Sequence, residues 1–140
     1  MPLEVKWYDP EHTILIGTIA KNTIWDDYHK AIDQIVHEAS QVSHRVDVII
    51  LDDVGMPVGN PMPHIKLGVS KLVKQDNIKL SIIAGSRGSS GFVRAVFEAL
   101  GKMFMKTGTT NNQGFGGFVK TLDEAITRIK TDRARSQTAV

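Results

Sequence analysis

The chain has 140 residues, 41% of them hydrophobic and 23% charged, with a net charge of +2 when histidine is neutral. That size and balance suit one globular domain and exclude both a disordered chain and a strongly basic nucleic-acid binder. With no cysteine, disulfides, thiolate catalysis and cysteine-ligated zinc are excluded as well. The opening "MPLEVKWYDPEH" lacks a basic stretch followed by an apolar run, so it does not read as a signal peptide. No apolar run approaches the roughly 18–20 residues that span a bilayer. The sequence therefore predicts a cytoplasmic protein with no transmembrane segment.

"LEVKWYD" and "TILIGTI" read as two strands, the second rich in β-branched residues, joined by a turn at "DPEH". "NTIWDDYHKAIDQIVHEAS" is an amphipathic helix with Thr23 as its expected N-cap, acids in the first turn, and Trp25, Tyr28, Ile32, Ile35, Val36 and Ala39 on one face. "RVDVIILDD" is almost wholly apolar from Val46 to Leu51 except at Asp47, as a strand buried on both faces would be. "VGMPVGNPMP", 54–63, reads as a loop, and "HIKLGVSKLVKQ" as a helix with Ile65, Val69, Leu72 and Val73 inward. "IKLSIIAG" is a further buried strand. After the Gly/Ser loop, Val93, Val96, Phe97, Leu100, Met103 and Phe104 mark a helix capped by Ser90. "KTGTTNNQGFGG" reads as a mobile connector and "FVKT" as a short edge strand. "TLDEAITRIK" is a closing helix with a Thr121/Glu124 capping box. A basic, flexible tail is expected over 131–140, after an α/β domain over 1–130. The order β-β-α-β-α-β-α-(β)-α demands a mixed sheet of four to five strands with about four helices packed on it.

This succession, together with "VDVIILDD" ending its strand in Leu51-Asp52 and with "FVKTLDEAITRI" closing the chain, resembles the STAS domain of sulfate transporters and anti-sigma factor antagonists. The resemblance covers about residues 3–130. It implies a bacterial STAS-like regulatory scaffold. The family's phosphorylatable serine starts the helix after the third strand. Counting from Leu51-Asp52, its positions hold Pro61 and Met62, which cannot accept a phosphoryl group, so the resemblance implies the scaffold without the phosphoswitch.

Two loops at strand C-terminal ends carry the candidate binding residues. In "AGSRGSSG" the backbone amides of Ser89 and Ser90, with the charge of Arg87, either hold an anion or simply turn the chain into a capped helix. The glycine spacing matches neither the P-loop nor the dinucleotide fingerprint. Beside it, Asp52 and Asp53 end a strand, Met56 and Met62 offer an adaptable apolar rim, and His64 follows. The row His29, Asp33, His37 shares one helix side, but it lies off the apolar stripe and reads as solvated surface. Trp7, Tyr8 and Trp25 read as packing residues, with Trp7 a candidate interface residue if the hairpin is an exposed edge. No nucleophile–base motif is present. The sequence thus predicts a non-catalytic interaction module with a protein partner or a homodimer, no cofactor and no metal. Two alternatives stand: a binder of a phosphate-bearing or lipid-like small molecule under loops 54–63 and 85–91, and a small enzyme using Asp52, Asp53, His64 and Arg87.

Overall fold

A computed structural model describes residues 3–20, 22–51, 62–85 and 114–138. Their elements run β1 (Leu3–Trp7), β2 (Ile14–Ile19), α1 (Trp25–Ser40), β3 (Val46–Leu51), α2 (Met62–Lys74), β4 (Ile78–Ala84), β5 (Gly114–Val119) and α3 (Leu122–Thr138). The five strands form one sheet in the order β1-β2-β3-β4-β5. β1 pairs antiparallel with β2, and every later pair is parallel. The expected α/β class with a mixed sheet is therefore observed. The helix expected over Val93–Phe104 lies outside the described residues.

The hairpin is set by Asp9. Its carboxylate accepts the amides of Thr13 at 2.9 Å and Ile14 at 3.1 Å and the Thr13 hydroxyl, while His12 takes a left-handed φ of 58°. Burial pushes the Asp9 carboxyl up, but these hydrogen bonds outweigh it and hold it below its ordinary value. On the neighbouring strand, Trp7 stacks on His12 with ring centres 4.5 Å apart, and its Nε1 donates to Glu38 of α1. Tyr8 stays exposed.

A sheet that adds each parallel strand on the same side, through right-handed crossovers, sends successive helices to one face. α1 and α2 accordingly pack together over Leu15, Ile19, Val46, Val48 and Ile50. α3 covers the other face, where Ala125, Ile126 and Ile129 meet Ile14, Ile16, Ile49 and Ile82. β3, like β2, has helices on both sides, which is why "VDVIIL" reads as an unbroken buried run. In β4 one extra residue enters between the pairs Val46–Ile78 and Val48–Ser81. This bulge flips the alternation, so Ile78 faces α1 while Leu80 faces α3.

Four local expectations are corrected. Thr23 does not cap α1: its hydroxyl donates to Ala20 O at 2.6 Å, and the N-cap is Ile24, whose amide donates to Asp27 Oδ2. The loop expected over 54–63 gives way to helix at Met62, with Pro63 in the first turn, where its missing N–H has no consequence. The Gly-rich connector yields to β5 from Gly114, because backbone pairing with β4 needs no side chain. Finally, the basic tail continues α3 through Thr138, anchored by Asp132 and Arg133. The Thr121 cap is as expected: its hydroxyl accepts the Glu124 amide at 3.2 Å, and the Glu124 carboxylate reaches back to the Lys120 amide.

Candidate functional site

In a parallel sheet, the helix after each strand starts at that strand's C-terminal edge, the edge where ligands of open α/β sheets bind. α1 follows β2 and α2 follows β3, so both begin there, side by side. Trp25 is the first residue of α1 and His64 lies in the first turn of α2. Their rings stack 4.6 Å apart and only 7° from parallel. One helical turn past Trp25, His29 Nε2 lies 2.8 Å from His64 Nδ1. Tyr28 meets Trp25 and His29 edge-on, at 5.3 Å and 5.4 Å between ring centres. Four aromatic rings thus bridge the two helices.

Gly68 makes the close approach possible. A Cβ there would lie 2.6 Å from Tyr28 Oη and 3.2 Å from two ring carbons. Tyr28 is buried, and burial pushes its phenol well above the ordinary value, so it stays neutral. Burial holds His29 below its ordinary value, helped by His64 and Lys71 and opposed by Asp33 and Asp26. Among the described residues the buried His29 Nδ1 has no hydrogen-bond partner. Asp33 pairs with Lys71 at 2.8 Å. Within the row His29, Asp33, His37, the first two are therefore engaged by different partners, and among the described residues no three metal-ligating side chains converge.

Of the binding residues expected in and beside the two loops, His64 is the one whose surroundings are described. Met62 opens α2. Asp52, Asp53, Met56, Arg87, Ser89 and Ser90 lie outside the described residues. The polar row reads as surface, yet His29 lies against α2. The signal that pointed elsewhere was its i+4 spacing from Trp25, which sets it on the stripe facing α2.

A second polar constellation lies at the opposite, N-terminal edge. Asp47, with no exposed surface, accepts Arg45 Nε at 3.0 Å and 3.1 Å, Arg133 Nε at 2.8 Å, and the Leu80 amide of the bulge at 3.1 Å. Arg45 also bonds Asp132, and Arg133 bonds the hydroxyl and carbonyl of Thr13. Both carboxylate oxygens accept only N–H donors, the pattern of an ionised group. Burial pushes Asp47 up from its ordinary value, against the pull of the two guanidinium groups. Above it, between α3 and the sheet, runs an open groove of about 670 Å³ floored by Leu80 and Val119 and walled by Glu124, Arg128 and Arg135.

Among the described residues no helix is long and apolar enough to cross a membrane. No protein family, curated protein or solved structure matches the chain. What the fold defines is a mixed-sheet α/β protein with an aromatic and imidazole cluster at the C-terminal edge of its sheet.

Proposed function

We propose that the chain is a STAS-like interaction module that docks a partner protein on the surface where α1 and α2 begin. The observation that carries this reading is the exposure of Ile24 and Leu67, at 56% and 48%. Ile24 immediately precedes Trp25, and Leu67 follows His64 by one helical turn. Two large apolar side chains therefore flank one rigid aromatic stack, the arrangement of an anchor patch on a preformed base. Charge narrows the partner. α2 carries Lys66, Lys71 and Lys74 and no acid, and Lys66 lies exposed next to Leu67. Around Leu67 the surface suits a protein that presents an apolar side chain beside a carboxylate, while Asp26 and Asp27 border Ile24 on the α1 side. The resemblance puts the family's regulated serine at this same helix start. With Pro61 and Met62 there, docking would not be switched by phosphorylation at those positions.

The test is site-specific photo-crosslinking in the native host, from position 67 and, as a control, from position 128 on the α3 face. A partner joined from 67 alone is then purified and its affinity measured. Leu67→Glu is expected to weaken binding by about tenfold or more, the loss of roughly 1.4 kcal/mol, and added salt is expected to slow association. Equal crosslinking from both faces, or binding indifferent to Leu67→Glu, would remove the proposal.

A further inference from the structure

We propose that His29 and His64 form a proton-sensitive clasp between α1 and α2, closed while both imidazoles are neutral and opened when the pair takes up a proton. The clasp itself is independent of the docking reading; only its consequence for binding rests on that reading.

The argument is a count of protons on four ring nitrogens. One proton lies between His29 Nε2 and His64 Nδ1, which are 2.8 Å apart. With both rings neutral, that proton belongs to His29 Nε2, and His64 carries its own on Nε2. His29 Nδ1 is then bare, which suits a buried nitrogen with no partner. The other tautomer would place an N–H donor at that orphaned position, the costlier arrangement.

Adding one proton while keeping the hydrogen bond fills both outer nitrogens, whichever ring is called the cation. His29 Nδ1 must then carry a buried N–H with no acceptor. Placing the new proton on His64 Nδ1 instead sets two N–H groups head-on. Either way the closed geometry is lost with the first proton, not the second. The charged groups facing the pair act in both directions. Lys71 of α2 adds positive charge, while Asp33 and Asp26 of α1 oppose it. Asp33 is already engaged by Lys71, and neutral Tyr28 closes the side of His29.

The same geometry argues against a metal between the rings. The ring centres are 5.0 Å apart while the nitrogens are 2.8 Å apart. The nitrogens therefore meet nearly head-on instead of converging on a third point, as ligands of one ion do.

Opening frees His64 from His29 and loosens its stack on Trp25. That releases the first turn of α2, between the two exposed anchors Ile24 and Leu67. Acid would thus disorganise the docking surface.

The test uses the whole chain without any partner. Ring-nitrogen NMR at about pH 8 is expected to find the His29 proton on Nε2. The chain has two tryptophans, so Trp7→Phe leaves Trp25 as the reporter. Between about pH 8 and about pH 5, where imidazoles titrate, Trp25 emission is expected to change in one step. Its midpoint should fall below the ordinary histidine value of 6.5. After correction for the intrinsic slowing of exchange in acid, protection of amides 66–68, whose helical acceptors lie in the first turn of α2, is expected to fall by about tenfold or more over the same step, with helix content unchanged. His29→Gln and His64→Gln, which keep a hydrogen-bonding group but do not titrate, should each abolish the step.

A His29 proton found on Nδ1 at neutral pH overturns the proposal. So does Trp25 emission that stays flat to about pH 5, or a step that survives His29→Gln. Zn(II) binding that requires both histidines would replace the clasp with a metal site and also overturn it. The first reading is taken on the unaltered chain and the second on Trp7→Phe with both histidines intact, so neither depends on a histidine variant folding. Docking measured at about pH 8, with the clasp closed, tests the previous proposal separately.

Discussion

At Asp47 a carboxylate without solvent contact is held by two guanidinium groups and one amide. Its removal should be the most damaging single change among the described polar residues. Asp47→Ala leaves two arginines facing each other and strands the Leu80 amide. Breaking a buried pair costs about 3–5 kcal/mol. Arg45 and Arg133 keep 21% and 26% side-chain exposure and can turn to water, so the lower end, about 3 kcal/mol, is expected from urea unfolding. A loss under about 1 kcal/mol would mean that the network is surface decoration. The sequence announced Asp47 only as the one acid in an apolar strand. Its partners lie 2 and 86 residues away, the second in a stretch that reads as tail, so no local pattern could join them. Asp9 behaves differently. Its hydrogen bonds hold its carboxyl low, so its contribution is full above the ordinary 3.8 and fades as pH falls through the lowered value. The stability gap between wild type and Asp9→Asn, measured by thermal melts, should be present at neutral pH and close in acid. A gap that persists unchanged in strong acid would show that the turn does not depend on the ionised form.

α1 and α2 show how one small residue sets the approach of two helices. Gly68→Ala should gain up to ~1 kcal/mol from helix propensity, yet the new Cβ meets Tyr28 Oη at 2.6 Å. Overpacking of about 1–3 kcal/mol is therefore expected to win. Tyr28→Phe in the same chain removes that nearest contact while leaving ring carbons at 3.2 Å, so it should recover part of the loss. A double-mutant cycle reads this coupling directly, and strictly additive losses would disprove the contact. At α3, Thr121→Ala removes the acceptor of the Glu124 amide and should cost about 1 kcal/mol. The two helices differ in how far sequence carried. The Thr121 cap was legible because a capping box is local. The Thr23 cap was not, because the Thr23 hydroxyl found Ala20 O and the chain entered the helix one residue later. Both strands of the hairpin, β3 and the apolar faces of α1 and α3 were legible from periodicity alone. β5 was legible only at its end, where "FVKT" reads as a strand; its glycine-rich start carries no side-chain alternation to read.

Across the whole molecule, the two sheet faces are built unequally. One carries α1 and α2, clasped by aromatic and imidazole contacts; among the described elements the other carries α3 alone, whose outer surface is strongly polar. Among its described side chains this helix buries Ala125, Ile126 and Ile129, all in its first half. Its second half is fixed through Asp132 to Arg45 and through Arg133 to Asp47 and Thr13. The same carboxylate accepts the amide at the β4 bulge. One network therefore ties β2, β3, β4 and α3 together at the N-terminal edge, and leaves the C-terminal edge to the candidate docking surface. That division gives a sharp expectation for truncation. A chain ending at residue 131 loses both anchors, leaves Arg45 without Asp132, and leaves Asp47 with one guanidinium instead of two. It should lose about as much as a broken buried pair, about 3–5 kcal/mol, with a correspondingly lower melting temperature. A chain ending at residue 135 retains Asp132 and Arg133 and should stay within about 1 kcal/mol of the full protein. Chemical unfolding of the two chains side by side separates the cases. If both melt like the full protein, α3 is held by its apolar face alone and the network is dispensable; if both collapse, the last residues of α3 matter more than its anchors.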